Sequence, residues 1–287
     1  MLRRPWDDCR VTRFVLCTLG DLLLDVIVRL EQPLEPGTDT RAVTRTGAGG
    51  QAANVAAWAA HLGAEARFVG KRGDDPAGAL AAGELSAGGV AVLGPVAVGR
   101  TGVVVSLVDQ DGQRSMASDR GVAPTLTAEE LESDWFDGCS HLHLSGYSVM
   151  TAPIDGAALR AAELIRGAGG AITVDLASAS VIRSFGVERL VERLTELAPD
   201  TVFANEQERA SLGSFASRIV TTWVLKRGAA GCAVEDDGTR TELPAAPADV
   251  VDTTGAGDAF AAGYLIGGVE LGLQTAARAV GKLGSMP

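Results

Sequence analysis

The sequence is poor in positive charge. Its 25 lysine and arginine residues stand against 36 aspartate and glutamate residues, which gives a formal net charge of -11. A protein that binds a polynucleotide normally presents a basic face that neutralises backbone phosphates. No such stripe is present, so nucleic-acid binding is not expected. Any phosphorylated ligand must then be held by local geometry.

Cysteine is also scarce. The four cysteines show neither a CxxC motif nor a His/Cys spacing typical of metal ligands. They are Cys9, Cys17, Cys139 and Cys232. This pattern predicts reduced thiols, no disulfides and a cytoplasmic location.

A long uninterrupted apolar run is missing as well. Residues 11–30 follow a basic start and are rich in apolar side chains, but Arg13, Gly20, Asp21 and Asp25 interrupt them. No small-residue cleavage site follows. The sequence therefore predicts neither a signal peptide nor a membrane span, and no membrane partner is expected.

Strands and helices alternate along what remains. With 287 residues, 46% of them hydrophobic, the chain can fill a large core. Alternating patterns predict a doubly wound, mainly parallel α/β sheet with helices on both faces, as one domain over residues 1–287. The predicted strands include 13–19, 66–70, 141–144, 171–176, 201–204 and 222–226; the predicted helices include 51–62, 76–87, 154–166, 187–197 and 206–212.

The most informative stretch is VVDTTGAGDAF at residues 250–260. Small, permissive residues lead directly into a pattern with helical spacing, so Gly255, Ala256 and Gly257 should form a helix N-terminus. Backbone N–H groups and the helix dipole favour an anion there, and Asp258 would lie beside it. An anion site next to a carboxylate suits phosphoryl transfer. The simpler alternative is an ordinary helix cap, which would need neither the two glycines nor Asp252.

DTTGAGD resembles the C-terminal signature of the ribokinase-like (PfkB-type) carbohydrate kinases. The resemblance implies that the Gly255–Gly257 amides form an anion hole, and that Asp258 takes the proton from a sugar hydroxyl. It also implies that Asp252 and Thr254 lie near a bound monovalent cation, K⁺.

Two N-terminal motifs extend the resemblance. Asp25, five residues after the strand-ending glycine, matches the acid that holds sugar hydroxyls in relatives, and Gly49, Gly50 and Asn54 match a GGxxxN motif that lines the sugar. The overlapping GAGGQA also fits a dinucleotide fingerprint, with Asp74 at about the required distance. That alternative is weakened because a strand and a lid-like segment already lie upstream.

The nucleotide side is indicated by two later segments. NEQE matches an NxxE motif, in which Glu208 helps to place Mg²⁺ and Asn205 lines the phosphates; a helix cap explains the pair equally well. KRGAAG, with Lys226, Gly228 and Gly231, resembles the glycine turn beside ATP. No Walker motif occurs.

A small β lid is predicted from residues 26–46 and 99–119, because 101–108 and 113–117 flank a hairpin signal. In relatives such a lid covers the sugar and often pairs with a second copy, so a homodimer is a hypothesis. Asp119 and Arg120 could reach the substrate or simply be solvated, and Asp74 and Asp75 could close the substrate end or cap a helix. His141 and His143 share a strand face without a third metal ligand nearby.

Two departures from the family pattern stand out. HLHLSGYS places Ser145 and Tyr147 where many ribokinases have a sugar-binding acid, which puts ribose itself in doubt. Only 29 residues follow Asp258, so no residues are assigned to the adenine.

The expected function is ATP-dependent transfer of a γ-phosphoryl group to a primary hydroxyl of a small sugar or sugar acid, with ATP, Mg²⁺ and K⁺ bound. A nucleoside kinase on the same fold is the main alternative. A catalytically silent sugar-binding regulator and a NAD-dependent dehydrogenase are weaker ones.

Overall fold

The computed structural model of the chain describes residues 14–110, 114–219 and 222–287. Cys9 and the first residue of the predicted strand 13–19 lie outside the described residues, as does Gln113 of the predicted hairpin.

Fifteen strands are found in this part of the chain. In chain order they are β1 (Val15–Leu19), β2 (Leu23–Leu30), β3 (Ala42–Gly49), β4 (Glu65–Val69), β5 (Arg72–Gly73), β6 (Val90–Leu93), β7 (Val96–Ala97), β8 (Thr101–Val108), β9 (Arg114–Gly121), β10 (His141–Ser145), β11 (Ala171–Asp175), β12 (Thr201–Asn205), β13 (Thr222–Lys226), β14 (Cys232–Asp236) and β15 (Thr239–Leu243).

The described part of the chain also contains nine α-helices. They are α1 (Gln51–His61), α2 (Pro76–Ala87), α3 (Gly146–Val149), α4 (Ile154–Gly167), α5 (Ala179–Phe185), α6 (Val187–Leu197), α7 (Glu206–Ser211), α8 (Ala256–Gly267) and α9 (Val269–Val280).

The central sheet has nine strands in the order β15-β14-β13-β12-β11-β10-β1-β4-β6. All neighbours from β13 to β6 are parallel, whereas β14 and β15 pair antiparallel. Strands β1, β10 and β11 are buried throughout, as expected for strands covered on both faces. The prediction of a doubly wound, mainly parallel α/β fold is confirmed.

Alternation within the strands divides the core into two layers. Residues such as Cys17, Leu142 and Val174 pack against α4 and α6 on one face. Their strand neighbours, such as Leu16 and Phe203, pack against α1 and α8 on the other. This second face carries the elements that build the site, because α8 begins at the carboxyl edge of the sheet.

A separate four-stranded sheet has the order β3-β2-β8-β9. It combines antiparallel pairs with one parallel pair, β2 with β8. We call this sheet the lid sheet. Every second residue of β9, from Arg114 to Arg120, lines the polar cleft described in the next section. Alternate side chains of a strand point to the same face, so these four lie on the cleft side of β9.

Candidate active site

Two adjoining cavities lie at the carboxyl edge of the central sheet, where ligands bind in open α/β folds. The polar cleft, about 640 Å³, is lined by residues that include Asp25, Asn54, Arg114, Glu208 and Asp258. The apolar cavity, about 600 Å³, is lined by residues that include Ala245, Ala246, Pro247, Leu273, Ala276 and Val280. The two cavities share Lys226, Gly228, Thr253 and Gly257. A ligand spanning both would therefore pass over the turn that opens α8.

This turn is built from backbone. Gly255 has a φ of 73°, which favours glycine, and α8 begins without a side-chain cap. The first N–H groups of the 12-residue helix consequently have no side-chain acceptor. A Cβ at position 257 would lie 3.2 Å from Lys226 Nζ, so glycine leaves room for that ammonium. The turn therefore suits an anion, because it offers it free backbone N–H groups and the nearby positive charge of Lys226.

Asp258 lies in the first turn of α8, and its environment differs from the expectation. The helix dipole predicts an easily ionised carboxyl group, but burial raises its pKa to about 7. The hydrogen bond from Asn54 opposes this rise, and Asp175 adds to it. Asn54 Nδ2 donates to Asp258 Oδ2 over 2.7 Å. A carboxyl group with a pKa near 7 can accept a proton at neutral pH.

A buried ion pair lies beneath the turn. Lys226, at the end of β13, donates to the carboxylate of Asp175, at the end of β11. Asp175 is fully buried, and its negative charge helps to raise the pKa of the lysine although burial opposes the rise. The positive charge of Lys226 also favours ionisation of Asp258. Lys226 therefore places a positive charge beneath the anion-binding turn.

Asp25 lies on β2, in the lid sheet, and lines the polar cleft. Burial raises its pKa to about 6, while Ser285 and Arg114 lower it. Ser285 Oγ donates to Asp25 Oδ2 over 3.2 Å. Gly49, paired with Leu23 at the end of β3, is needed here because a Cβ would overlap the Asp25 carboxylate. Gly49 itself does not line the polar cleft.

Gly50 does line the cleft and has a φ of 105°. A Cβ there would overlap the carbonyl oxygen of Asp21. Asp21 in turn accepts two hydrogen bonds from Arg120, one of them over 3.0 Å to Oδ1. Of the two charges considered from the sequence, Arg120 lines the cleft in this ion pair, whereas Asp119 pairs with exposed Arg100 outside it.

Asp252 and Thr254 anchor the turn from behind. Asp252 is 3% exposed, and one carboxylate oxygen accepts from both the N–H and the hydroxyl of Thr254, over 2.9 and 2.6 Å. The other accepts from the N–H of Gly284 over 2.9 Å. The carboxylate is thus engaged by protein donors. Thr254 lines the polar cleft, and Asp252 does not.

Asn205 and Glu208 form a reciprocal cap on α7. Asn205 Oδ1 accepts from the Glu208 N–H, and Glu208 Oε2 accepts from the Asn205 N–H, each over 2.8 Å. Both also line the polar cleft, and burial raises the pKa of Glu208. Cap and ligand site are therefore compatible.

The turn after β13 separates the two cavities. Gly228, with a φ of 55°, lines both, and Gly231, with a φ of 87°, lines only the apolar one. A Cβ at Gly231 would overlap the carbonyl oxygen of Leu243. Ala256 also lines the apolar cavity.

The structure thus brings the predicted site residues together, with Gly49 and Asp252 just behind the surface. Sequence reasoning missed Asp175, Arg114 and Ser285. Asp175 carried a usable signal, since it ends a buried parallel strand at the edge where ligands bind. Arg114 and Ser285 carried none, because their positions depend on lid pairing and on how the last residues fold back.

Two other positions considered from the sequence have structural roles. Asp75 caps α2 and accepts from Thr101, which supports the helix-cap alternative for this pair. His143 is fully buried and bonds Thr173 over 2.9 Å. Among the described residues, no cluster of three or more metal-ligating side chains occurs, and no helix is long and apolar enough to cross a membrane.

A parallel α/β sheet with an anion-binding turn and a half-buried carboxyl group at its carboxyl edge has the architecture of a phosphotransferase. The chain belongs to the pfkB family of carbohydrate kinases, whose family model matches residues 14–286. It is a sugar kinase, a phosphotransferase with an alcohol group as acceptor.

Individual proteins show the same relationship. An ATP-dependent ribose-1-phosphate kinase from Halopiger xanaduensis is 34% identical over 86% of this chain and 82% of its own length. Adenosine kinase from Sinorhizobium meliloti superposes with a TM-score of 0.84, at 25% identity over 96% of each chain. An Escherichia coli protein solved in complex with ATP and Mg²⁺ has a TM-score of 0.77, at 21% identity over 95% of this chain and 94% of its own.

Proposed function

We propose that this kinase transfers the γ-phosphoryl group of ATP to a primary hydroxyl of a small sugar bound in the polar cleft. The observation that carries the proposal is Asp258, a half-buried carboxyl group that lines the polar cleft, with a pKa of about 7, beside the turn that both cavities share. A base of this pKa matches the operating pH of a kinase. The uncapped amides of α8 lie where charge would develop on the transferring group.

In this mechanism Asp25 and Asn54 orient the acceptor so that one hydroxyl faces Asp258. The oxygen of that hydroxyl attacks the γ-phosphorus, and its proton passes to Asp258. The amides of Gly255–Gly257 stabilise charge on the phosphoryl oxygens, and Lys226 adds a positive charge beneath them. Catalysis then consists mainly of positioning and electrostatic stabilisation.

The apolar cavity supports the assignment of the nucleoside end of ATP. Its lining by alanine, proline, leucine and valine side chains offers a flat base an apolar slot. Gly228 and Gly231 line that slot. Asn205 lines the polar cleft, on the side assigned to the phosphates. The ATP complex of the related fold supports the same donor for this chain.

Glu208 fits a role in holding Mg²⁺. Magnesium in kinases commonly uses one or two carboxylates together with substrate phosphates and water. Glu208 supplies one carboxylate to the cleft, and Asn205 fixes its orientation through two hydrogen bonds to its oxygens, over 2.8 and 2.7 Å. When bound, Mg²⁺ would neutralise charge on the phosphates.

Potassium activation is proposed from the sequence resemblance alone. The contacts of Asp252 and Thr254 give a potassium site little support, because protein donors already engage their side-chain oxygens. Arg114 Nη1, for example, donates to Thr254 Oγ1 over 2.9 Å. The proposed mechanism assigns no step to the cation. Rates measured in K⁺ and Na⁺ at matched ionic strength test it, and equal rates would remove the cation from the mechanism.

The main test of the mechanism is Asp258→Asn, which keeps size and removes basicity. We expect normal folding, retained binding of ATP and sugar, and a fall in kcat of about 10² to 10⁴. Circular dichroism and calorimetric titration provide the controls for folding and binding. A folded variant that turns over at the wild-type kcat would exclude Asp258 as the base.

A nucleoside kinase is the second candidate. Leu23, Val104 and Met116 give the polar cleft an apolar wall at the lid sheet, which would suit a nucleobase. A phosphorylation screen over pentoses, hexoses, sugar acids and nucleosides distinguishes the two functions. Preference for adenosine by more than tenfold in kcat/KM would favour the nucleoside kinase.

We also propose that the lid sheets of two copies pair. The edge strand β3 is exposed along most of its length, and Val43 on it is 52% exposed. Light scattering coupled to size exclusion tests this, and Val43→Glu should shift a dimer towards the monomer. A monomeric wild-type protein would refute the proposal.

A further inference from the structure

Among the described residues that line the polar cleft, three carry a cationic side chain, and two of these three pair with a carboxylate. Lys226 pairs with buried Asp175. Arg120 pairs with Asp21 through two hydrogen bonds. The third is Arg114, the first residue of β9.

Arg114 has a different kind of partner. Its Nη1 donates to Thr254 Oγ1 over 2.9 Å. In the part of the chain that the structure describes, no carboxylate lies within ion-pair distance of it. A guanidinium has five N–H donors in a planar fork, and the bond to Thr254 uses one of them. Toward the described residues, most of its hydrogen-bonding capacity is therefore unused. An arginine in this state inside a cleft is suited to bind an anion.

The positive charge of Arg114 acts on the acceptor side of the cleft. It lowers the pKa of Asp25, which lies on β2 of the same lid sheet. The charge that lowers the pKa of Asp258 comes from Lys226 instead. The two cations therefore act on different carboxyl groups, Lys226 on Asp258 and Arg114 on Asp25.

The position of Arg114 follows from the lid sheet. Arg114 pairs with Val108 at the start of β9, and Met116, Ser118 and Arg120 follow it into the cleft with period two. The hydrogen bond to Thr254 then joins the lid sheet to the residue that precedes the anion-binding turn. The guanidinium is thus placed by strand register and by a bond across 140 residues.

We propose that the acceptor is a sugar that already carries a phosphate, and that Arg114 binds that phosphate while another hydroxyl of the sugar faces Asp258. This proposal rests on the proposed function. The bond from the γ-phosphorus of ATP to its bridging oxygen breaks, and a bond from the acceptor hydroxyl oxygen to that phosphorus forms. The hydroxyl proton goes to Asp258, and the products are ADP and a sugar bisphosphate. The relative named as a ribose-1-phosphate kinase supports this substrate class.

The test compares matched acceptors with the full-length protein. Initial rates with ATP are measured for ribose, ribose 1-phosphate, ribose 5-phosphate and gluconate. We expect kcat/KM for one sugar phosphate to exceed that for ribose by at least about 100-fold. Equal or better use of ribose would overturn the proposal. Preference for gluconate would also overturn it, since it would assign the arginine to a carboxylate.

Arg114→Gln then identifies the residue responsible. We expect a loss of about 10- to 100-fold in kcat/KM for the sugar phosphate, mostly through KM, and less than threefold for ribose. Arg100→Gln is the matched control, because Arg100 is exposed, pairs with Asp119 and does not line the cleft. A loss in kcat that is equal for both acceptors would place Arg114 on the transferring phosphoryl group and overturn the assignment.

A binding measurement separates this proposal from the proposed function. Calorimetric titration of ribose 1-phosphate and ribose 5-phosphate into Asp258→Asn needs no turnover. We expect one of them to bind, and the double variant with Arg114→Gln to lose at least tenfold in affinity. Binding that depends on Arg114 without turnover in the wild type would refute the kinase mechanism and keep the anion site. Absence of such binding would refute the anion site, even if ribose is phosphorylated.

Discussion

The amide of Asn54 and the carboxyl group of Asp258 are joined by a hydrogen bond of 2.7 Å, although 204 residues separate them in the chain. Asn54 lies on α1, buried to 5% exposure, and Asp258 lies at the start of α8. The amide N–H favours the ionised form of the carboxyl group, so it partly offsets the effect of burial on the pKa. Asn54 thus helps to set the basicity of Asp258, in addition to the sugar contact proposed above.

The first prediction concerns the pH dependence of the reaction. If Asp258 is the base, kcat/KM should rise with pH through a limb near 7, where its carboxyl group loses its proton. Asn54→Ala removes a donor that favours ionisation, so the limb should move to higher pH. Profiles of kcat/KM from pH 5 to 10 measure the shift.

Gln51→Ala is the control, because Gln51 lines the same cleft and bonds Ser145 without touching Asp258. Its limb should coincide with that of the wild type. A profile for Asn54→Ala that falls uniformly at every pH would show that the amide acts on the sugar instead.

The second prediction concerns stability. The pKa of Asp258 is raised from 3.8 to about 7, so between these values the folded protein binds more protons than the unfolded chain. The free energy of unfolding should therefore fall as pH rises from about 4 to 7. Asp258→Asn removes this loss, and its Tm should exceed that of the wild type at pH 8.

The difference in Tm should shrink towards zero below about pH 4, where both states carry a protonated Asp258. Differential scanning calorimetry at pH 4 and pH 8 provides its own internal control. A difference in Tm that is the same at both pH values would mean that the asparagine acts through packing and not through charge.

Much of the fold could be predicted because it depends on local patterns. The strand 222–226 and the helices 76–87 and 187–197 have the predicted bounds, since period and flanking turns mark them. The antiparallel strands β14 and β15 were not predicted. In β15, exposed Thr239 and Arg240 leave little hydrophobic signal at the sheet edge.

The site was predictable only where one short motif supplies several groups. Gly255 to Asp258 are adjacent in sequence, so the anion-binding turn and its carboxyl group could be read together. The pKa of Asp258 could not be predicted, because the burial of its carboxyl group and the nearby charges of Asp175 and Lys226 depend on elements distant in sequence. Arg114 was missed for the same reason, since its contact with Thr254 depends on where the lid sheet lies.

The third prediction tests Gly49. Its Cβ would overlap the carboxylate of Asp25, so Gly49→Ala should displace that side chain and raise the KM of the sugar by about tenfold or more. The KM of ATP should change little, because Asp25 does not line the apolar cavity. Steady-state kinetics with each substrate varied in turn measure both.

Gly83→Ala is the matched control. Gly83 lies inside α2, and a Cβ there meets nothing within 4 Å. Since alanine has the higher helix propensity, this variant should have unchanged kinetics and equal or slightly greater stability. If Gly49→Ala raised the KM of ATP instead, Asp25 would belong to the nucleotide side.

The last prediction concerns the choice of nucleotide. Lys226 and Thr253 supply the polar side chains of the apolar cavity, and both lie at the junction with the polar cleft. No side chain among the described lining residues is therefore placed to read the edge of a base. An apolar pocket discriminates by about 10- to 200-fold, whereas a pocket built to hydrogen-bond a group can discriminate by about 10⁴-fold. We expect kcat/KM for GTP, CTP and UTP to lie within about 200-fold of that for ATP. Ala276→Phe should fill the cavity and raise the KM of all four nucleotides without changing the KM of the sugar. A preference for ATP above about 10⁴-fold would show that backbone groups of residues 245–250 read the base, and shape would no longer explain nucleotide selection.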